Sequence, residues 1–177
     1  MTGKDDLKVT GGTYAITAAS HGLEPKDGAY ICGGTLSITA GECIEATCVR
    51  IDGGTLTLYG TDDGINATLN SDDAAVPSIE ITGGDVTITM AQGDTDAIDS
   101  NGSILVSGGT VTISAQFAFD FVTGAEHTGG TITVNGETVD EITESMMTGG
   151  MGGPGQMQGG MPGQMQGGFG GPGGGHP

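Results

Sequence analysis

Asp62 and Asp63 stand side by side in GTDDGINATL, residues 60–69. The stretch GDTDAIDSNG, residues 93–102, repeats the plan with Asp94, Asp96 and Asp99. Carboxylates on adjacent turns have two roles open to them. They can shape solvated turns, where Asp and Asn are favoured, or they can ligate a hard cation through oxygen. The rest of the chain bears on that choice, because it carries 22 Asp and Glu against 4 Lys and Arg, a formal net charge of −18. Lys4, Lys8, Lys26 and Arg50 are the only strong cations, so most carboxylates must face water or bind a metal. The same shortage argues against nucleic-acid binding, which needs clustered Lys and Arg, and against docking on anionic lipid. No apolar run approaches the roughly 18 residues of a membrane span. The opening MTGKDDLKVT has no apolar core of the kind a secretory signal needs, so none is expected within these residues.

The elements that must position these acids are set by a repeat. Gly-Gly begins at residues 11, 33, 53, 83, 108 and 129, at intervals of 22, 20, 30, 25 and 21. A strand follows each pair (TYAIT, TLSIT, TLTLY, DVTIT, TVTIS, TITVN), and most pairs are preceded by another (LKVT, YIC, VRID, IEIT, ILVS). The alternation has period two, and nothing before residue 137 reads as a helix. Two strands around a Gly-Gly turn plus a third short segment make about one coil of a solenoid. The expected fold is therefore all-β: a single-stranded, right-handed parallel β-helix of about six coils over residues 1–136. ETVDEITESMM, residues 137–147, is expected to close one end as a short helix. Residues 148–177, rich in Gly, Met, Gln and Pro, have too little apolar surface to offset their ordering entropy and are expected to be a disordered tail. The first coil has no obvious cap.

Stacking like on like lets columns be read from the sequence. Tyr14, Leu36, Leu56, Val86, Val111 and Ile132 form one inward column, and Ile16, Ile38, Leu58, Ile88, Ile113 and Val134 the next. Val9, Ile31, Ile51, Ile81 and Val106 form a third on the preceding strand. After each Gly-Gly strand the chain re-enters with a short segment centred on Leu23, Ile44, Ile65, Ile98 or Phe119. The residue after each gives the column Glu24, Glu45, Asn66, Asp99, Asp120. The residue two before gives His21, Glu42, Asp63, Asp96, Phe117. Stacked strands lie about 4.8 Å apart, where two carboxylates repel by roughly 3 kcal/mol at a dielectric of about 20.

A divalent cation would resolve the clash, and calcium, with six to eight oxygen ligands, suits it. One candidate site takes Asp62, Asp63 and Asn66 with Glu42 or Glu45 from the coil below. A second takes Asp94, Asp96, Asp99 and Asn101. The spacing is not that of an EF-hand. Zinc is disfavoured because His21 has no His or Cys beside it in its column. A solvated acidic edge is the competing reading.

Two outward surfaces add candidates. Thr13, Thr35, Thr55, Asp85, Thr110 and Thr131 lead a threonine grid that suits either an ice-binding face or an ordinary soluble β-face. Lys8, Tyr30, Arg50, Glu80 and Leu105 form another column. In it Tyr30 could stack on a pyranose and Arg50 could hold a sugar carboxylate, with plain surface scatter as the alternative. Cys32, Cys43 and Cys48 form no CxxC, which argues against a thiolate zinc site and leaves free thiols or one disulfide.

Residues 11–114 resemble the carbohydrate-binding parallel β-helix domain of clostridial surface proteins that bind cellulose and acidic sugars. The likeness rests on GGTLTLYGTDDGINA, on IEITGGDVTITMAQGDTDAIDSNGSILVSGGTVTI, and on the order of coils GECIEA, TDDGINA and DTDAIDSNGS. The Gly/Met/Pro-rich tail is similar too. Cys43 stands where that family has glycine, and DTDAI has extra residues. The resemblance implies a pectate-lyase-like fold, bound calcium, an extracellular or cell-surface location, and non-catalytic binding of cell-wall polysaccharide, pectin-like or cellulosic. It carries over Asp62, Asp63, Asn66, Asp96, Asp99 and Asn101 as metal candidates. The main alternative is a structural fibre or matrix subunit that self-associates through open β-helix ends or the tail. A polysaccharide lyase is a weaker reading, since Arg50 is its only candidate base, and a pectin hydrolase lacks its motifs.

Overall fold

The computed structural model describes residues 1–69, 75–93 and 95–145. Residues Met1–Met147 form one compact unit. The glycine-rich tail and the disorder expected for it lie outside the described residues, as do Asp94 and the last two residues of the expected cap.

The body is a parallel β-solenoid made of two sheets, with strands numbered along the chain. The smaller sheet stacks β1 (Thr2–Gly3), β3 (His21–Pro25), β5 (Glu42–Ala46), β7 (Asp63–Ala67), β10 (Asp96–Ser100) and β12 (Phe117–Phe121) in that order. The larger contains β2 (Asp6–Thr17), β4 (Gly28–Ala40), β6 (Cys48–Gly60), β8 (Ser78–Ile81), β9 (Asp85–Met90), β11 (Ser103–Ser114), β13 (Gly124–Val134) and β14 (Glu137–Val139). Every pairing is parallel except that of β13 with β14.

The inward columns read from the sequence are the register of this ladder. Tyr14, Leu36, Leu56, Val86, Val111 and Ile132 pair in succession from coil to coil. Leu23, Ile44, Ile65, Ile98 and Phe119 do the same on the small sheet. Ile31, Ile51, Ile65, Ile81, Ile88 and Ile98 have no exposed surface. Stacked β-branched side chains fill the narrow interior between the sheets, where they pack well against a pleated surface.

Two local expectations are corrected. Gly-Gly is a kink inside a continuous strand in most coils, which then have two strands instead of three; at Gly83-Gly84 the strand is interrupted and β8 and β9 remain separate. The ladder shifts register there and continues. The second glycine of each pair has a positive φ, 98° at Gly34 and 101° at Gly54. A Cβ on Gly54 would also sit 2.9 Å from the carbonyl oxygen of Gly34. Glycine is required on both counts.

The expected helix after residue 136 is absent from its described part, which begins with the short strand β14, Glu137–Val139, and continues without helix or strand to Ser145. Asn135 and Gly136 both have positive φ, 52° and 88°, and form the tight turn of a hairpin that folds β14 back antiparallel onto β13. Ile142 is then buried, and Ser145 accepts backbone hydrogen bonds from Ala118 and Phe119 through its hydroxyl. This end of the solenoid is closed by the hairpin and the segment after it.

Candidate functional site

The small sheet shows how five residues can display two acidic columns. In Asp63–Ala67, Asp63 and Asn66 are half-buried on the outer side, while Gly64, Ile65 and Ala67 are buried. The place of Gly64 is taken by Gly22, Cys43, Ala97 and Ala118 in the other coils, all small and buried. A Cβ on Gly64 would meet Ile88 Cγ2 at 2.6 Å, so the strand bends tightly there against the large sheet. Cys43 fits the same slot with no exposed surface, and burial pushes its thiol up to about 11. It is a core residue. All three cysteines are free thiols.

The bend turns the flanking side chains outward in two parallel rows. Asp63 pairs with Asp96, and Asn66 lies between Glu45 and Asp99, with Asp120 beyond. The Asn66 amide nitrogen donates to Glu42 Oε2 and to Asp63 Oδ2, each at 3.3 Å. The backbone N–H of Asp96 donates to Asp63 Oδ1 at 3.3 Å. The side-chain oxygen of Asn66 is buried without a hydrogen-bond partner.

These acids raise one another's proton affinity. Glu42 is pushed up to about 7, first by burial and then by the Glu45 charge. Asp63 is also pushed up to about 7, by burial and then by Asp99. Asp99 rises to about 6, by burial and then by Asp120 and Asp96. Half-buried carboxylates that resist ionisation near neutrality are candidates for binding a cation in place of a proton.

The other sequence candidates fall in different places. Asp62 is exposed on the rim before β7, where its charge still acts on Glu42 and Asp63. Asn101 lies just past β10 and donates to Thr68 Oγ1 at 2.9 Å, a tie between neighbouring coils. Arg50 sits on β6 of the large sheet. Its Nε bonds Asp52 at 2.8 Å and its Nη1 bonds Glu80 at 2.5 Å, so a sugar carboxylate arriving there competes with two acids already in place. Tyr30 folds its ring over Gly28, whose added Cβ would lie 2.4 Å from that ring. The threonine columns lie in register along the large sheet, interrupted by Asp85 and by the exposed Tyr59.

His21, which column stacking alone leaves outside the candidate sites, sits among three acids. Its ring lies 3.3 Å from Glu24, 2.9 Å from Glu45 and 3.9 Å from Glu42. Its signal in the sequence is its place in the column His21, Glu42, Asp63, Asp96, next to the column that holds Glu24 and Glu45. Contacts between the columns bring the imidazole to three carboxylates at once.

Residues 1–153 match a family model described as "Carbohydrate-binding domain-containing protein". That match spans most of the chain, and the chain belongs to this family. No curated protein and no solved structure matches it.

Proposed function

We propose that this solenoid is a calcium-dependent, non-catalytic module for acidic, uronate-containing cell-wall polysaccharide, acting outside the cell or at its surface. Family membership supports carbohydrate binding. The observation that carries the calcium and acidic-sugar parts is the paired acidic ladder, with Glu42, Asp63 and Asp99 all raised by burial and then by neighbouring carboxylates. Calcium between Glu42 and Asp63 replaces the proton that otherwise relieves their repulsion. Turning the Asn66 amide over presents its oxygen to both neighbours, giving three oxygen donors from two adjacent coils. Asp96 and Asp99 supply the next rung. Calcium held on an open sheet face keeps coordination positions for an incoming uronate, which explains how a chain of net charge −18 can take an acidic sugar.

Flat cellulose suits this surface less well. The chain has no tryptophan, and Tyr59 is the only aromatic among the exposed large hydrophobics of the described residues. A lyase mechanism is also disfavoured, because its candidate base, Arg50, lies on the large sheet while the acids lie on the small one.

Co-sedimentation with polygalacturonate and with cellulose, each with calcium and with chelator, tests this reading. Retention on polygalacturonate in calcium and its loss on chelation are expected. Equal retention with and without calcium would refute the calcium role, and retention on cellulose alone would refute the acidic-sugar role.

One observation favours self-association as a second property. Among the described residues β2 pairs only with β4, so its other edge is open, whereas the far end is closed by β14. One open edge supports a pair of chains and not a continuing fibre.

A further inference from the structure

We propose that His21, Glu24 and Glu45 form a separate site for a borderline transition-metal dication of the zinc class. One nitrogen of His21 and one oxygen from each carboxylate lie within 4.8 Å of one another. Glu42 Oε1 is the next nearest acid, 3.9 Å from Nε2. Metal–ligand bonds of about 2.0–2.2 Å place tetrahedral neighbours about 3.4 Å apart. Glu45 lies 2.9 Å from Nε2 and Glu24 lies 3.3 Å from Nδ1, so the two acids flank different ring nitrogens, and a metal on one nitrogen gains both only when the Glu24 side chain turns toward it.

A second observation distinguishes this cluster from an ordinary acidic edge. Glu45 is only 9% exposed, and its Oε2 is buried without a hydrogen-bond partner. That oxygen is nevertheless 2.9 Å from His21 Nε2. A simple imidazole–carboxylate hydrogen bond would place the oxygen along the ring N–H direction. An oxygen that is close but not bonded is arranged as in a pair bridged by a third atom, where donor, metal and acceptor form an angle. Ser20 Oγ lies 3.2 Å from Nδ1 and 3.3 Å from Nε2, against the edge of the ring, and does not single out either nitrogen.

Imidazole nitrogen also sets this site apart from the all-oxygen ladder of the next coils. Nitrogen with carboxylates favours zinc-class ions, whereas oxygen alone favours calcium. Zinc is therefore expected to persist here in the presence of excess calcium.

The test uses the full chain. Zinc binding is measured by equilibrium dialysis in excess calcium for the wild type, His21→Ala, His21→Gln and Glu45→Gln, with His127→Ala as a control. Circular dichroism checks folding, and cobalt absorption reports nitrogen and oxygen ligation. One zinc ion is expected to bind at least tenfold more weakly in all three site variants and unchanged in His127→Ala. Equal zinc affinity in wild type and a folded His21 variant would overturn the proposal, as would calcium displacing zinc at equal concentration. The calcium-induced rise in melting temperature is read in the same samples. Its absence, with the zinc difference intact, would count against the calcium reading alone.

Discussion

Asp63 and Glu42 reach toward each other across neighbouring rungs with only the Asn66 amide between them. Both hold protons up to about pH 7, far above their ordinary values of 3.8 and 4.5. The folded chain therefore binds more protons than the unfolded chain between about pH 4 and pH 7, and stability falls as pH rises through that window. In chelator the melting temperature is expected to drop from pH 5 to pH 8, and calcium should remove most of the drop. A pH-independent melting curve in chelator would contradict the raised affinities. Asp63→Asn should melt higher than the wild type at pH 8 in chelator, by about 2–4 °C for each kcal/mol of repulsion relieved. It should also respond less to calcium, which thermal scans of both proteins would show. The rows of acids were legible in the sequence because the repeat fixes which residues stack. The role of Asn66 as donor to both acids was not, because side-chain amide contacts depend on rotamers that periodicity does not encode.

At the scale of the strand, the solenoid depends on identical packing in every coil. Ile88 is fully buried, and its Cγ2 approaches the bend at Gly64. Ile88→Ala is expected to cost about 2–5 kcal/mol in urea unfolding, through lost burial and the cavity left behind. Gly84, with φ of 89° and a would-be Cβ 2.9 Å from Gly54 O, should tolerate alanine poorly. A cost below that of an exposed substitution, about 0.5 kcal/mol, would show that the kink relaxes freely. The strands were legible from alternation and from the Gly-Gly spacing. Whether each pair ends a strand or kinks it depends on hydrogen bonds to the neighbouring coil, which local sequence does not specify. The hairpin at Asn135-Gly136 carries a recognisable turn signal in the sequence, an Asn-Gly pair straight after a strand.

At the scale of the whole molecule, net charge −18 makes the protein repel acidic polymers unless a cation intervenes. On the proposed reading, the stack of like charges on one sheet gives that cation a structural role as well as a binding one. Self-association through the open β2 edge predicts a concentration-dependent dimer in sedimentation velocity, and long filaments would contradict closure of the other end by β14. The carbohydrate class follows from the family, whereas the acidic sugar is argued from the charge of the ladder. The most direct test is retention on polygalacturonate of the wild type and of Asp63→Ala combined with Asp96→Ala, each with calcium and with chelator. The account predicts calcium-dependent retention of the wild type and little retention of a folded double variant in either condition. Equal retention of both proteins in chelator would contradict it.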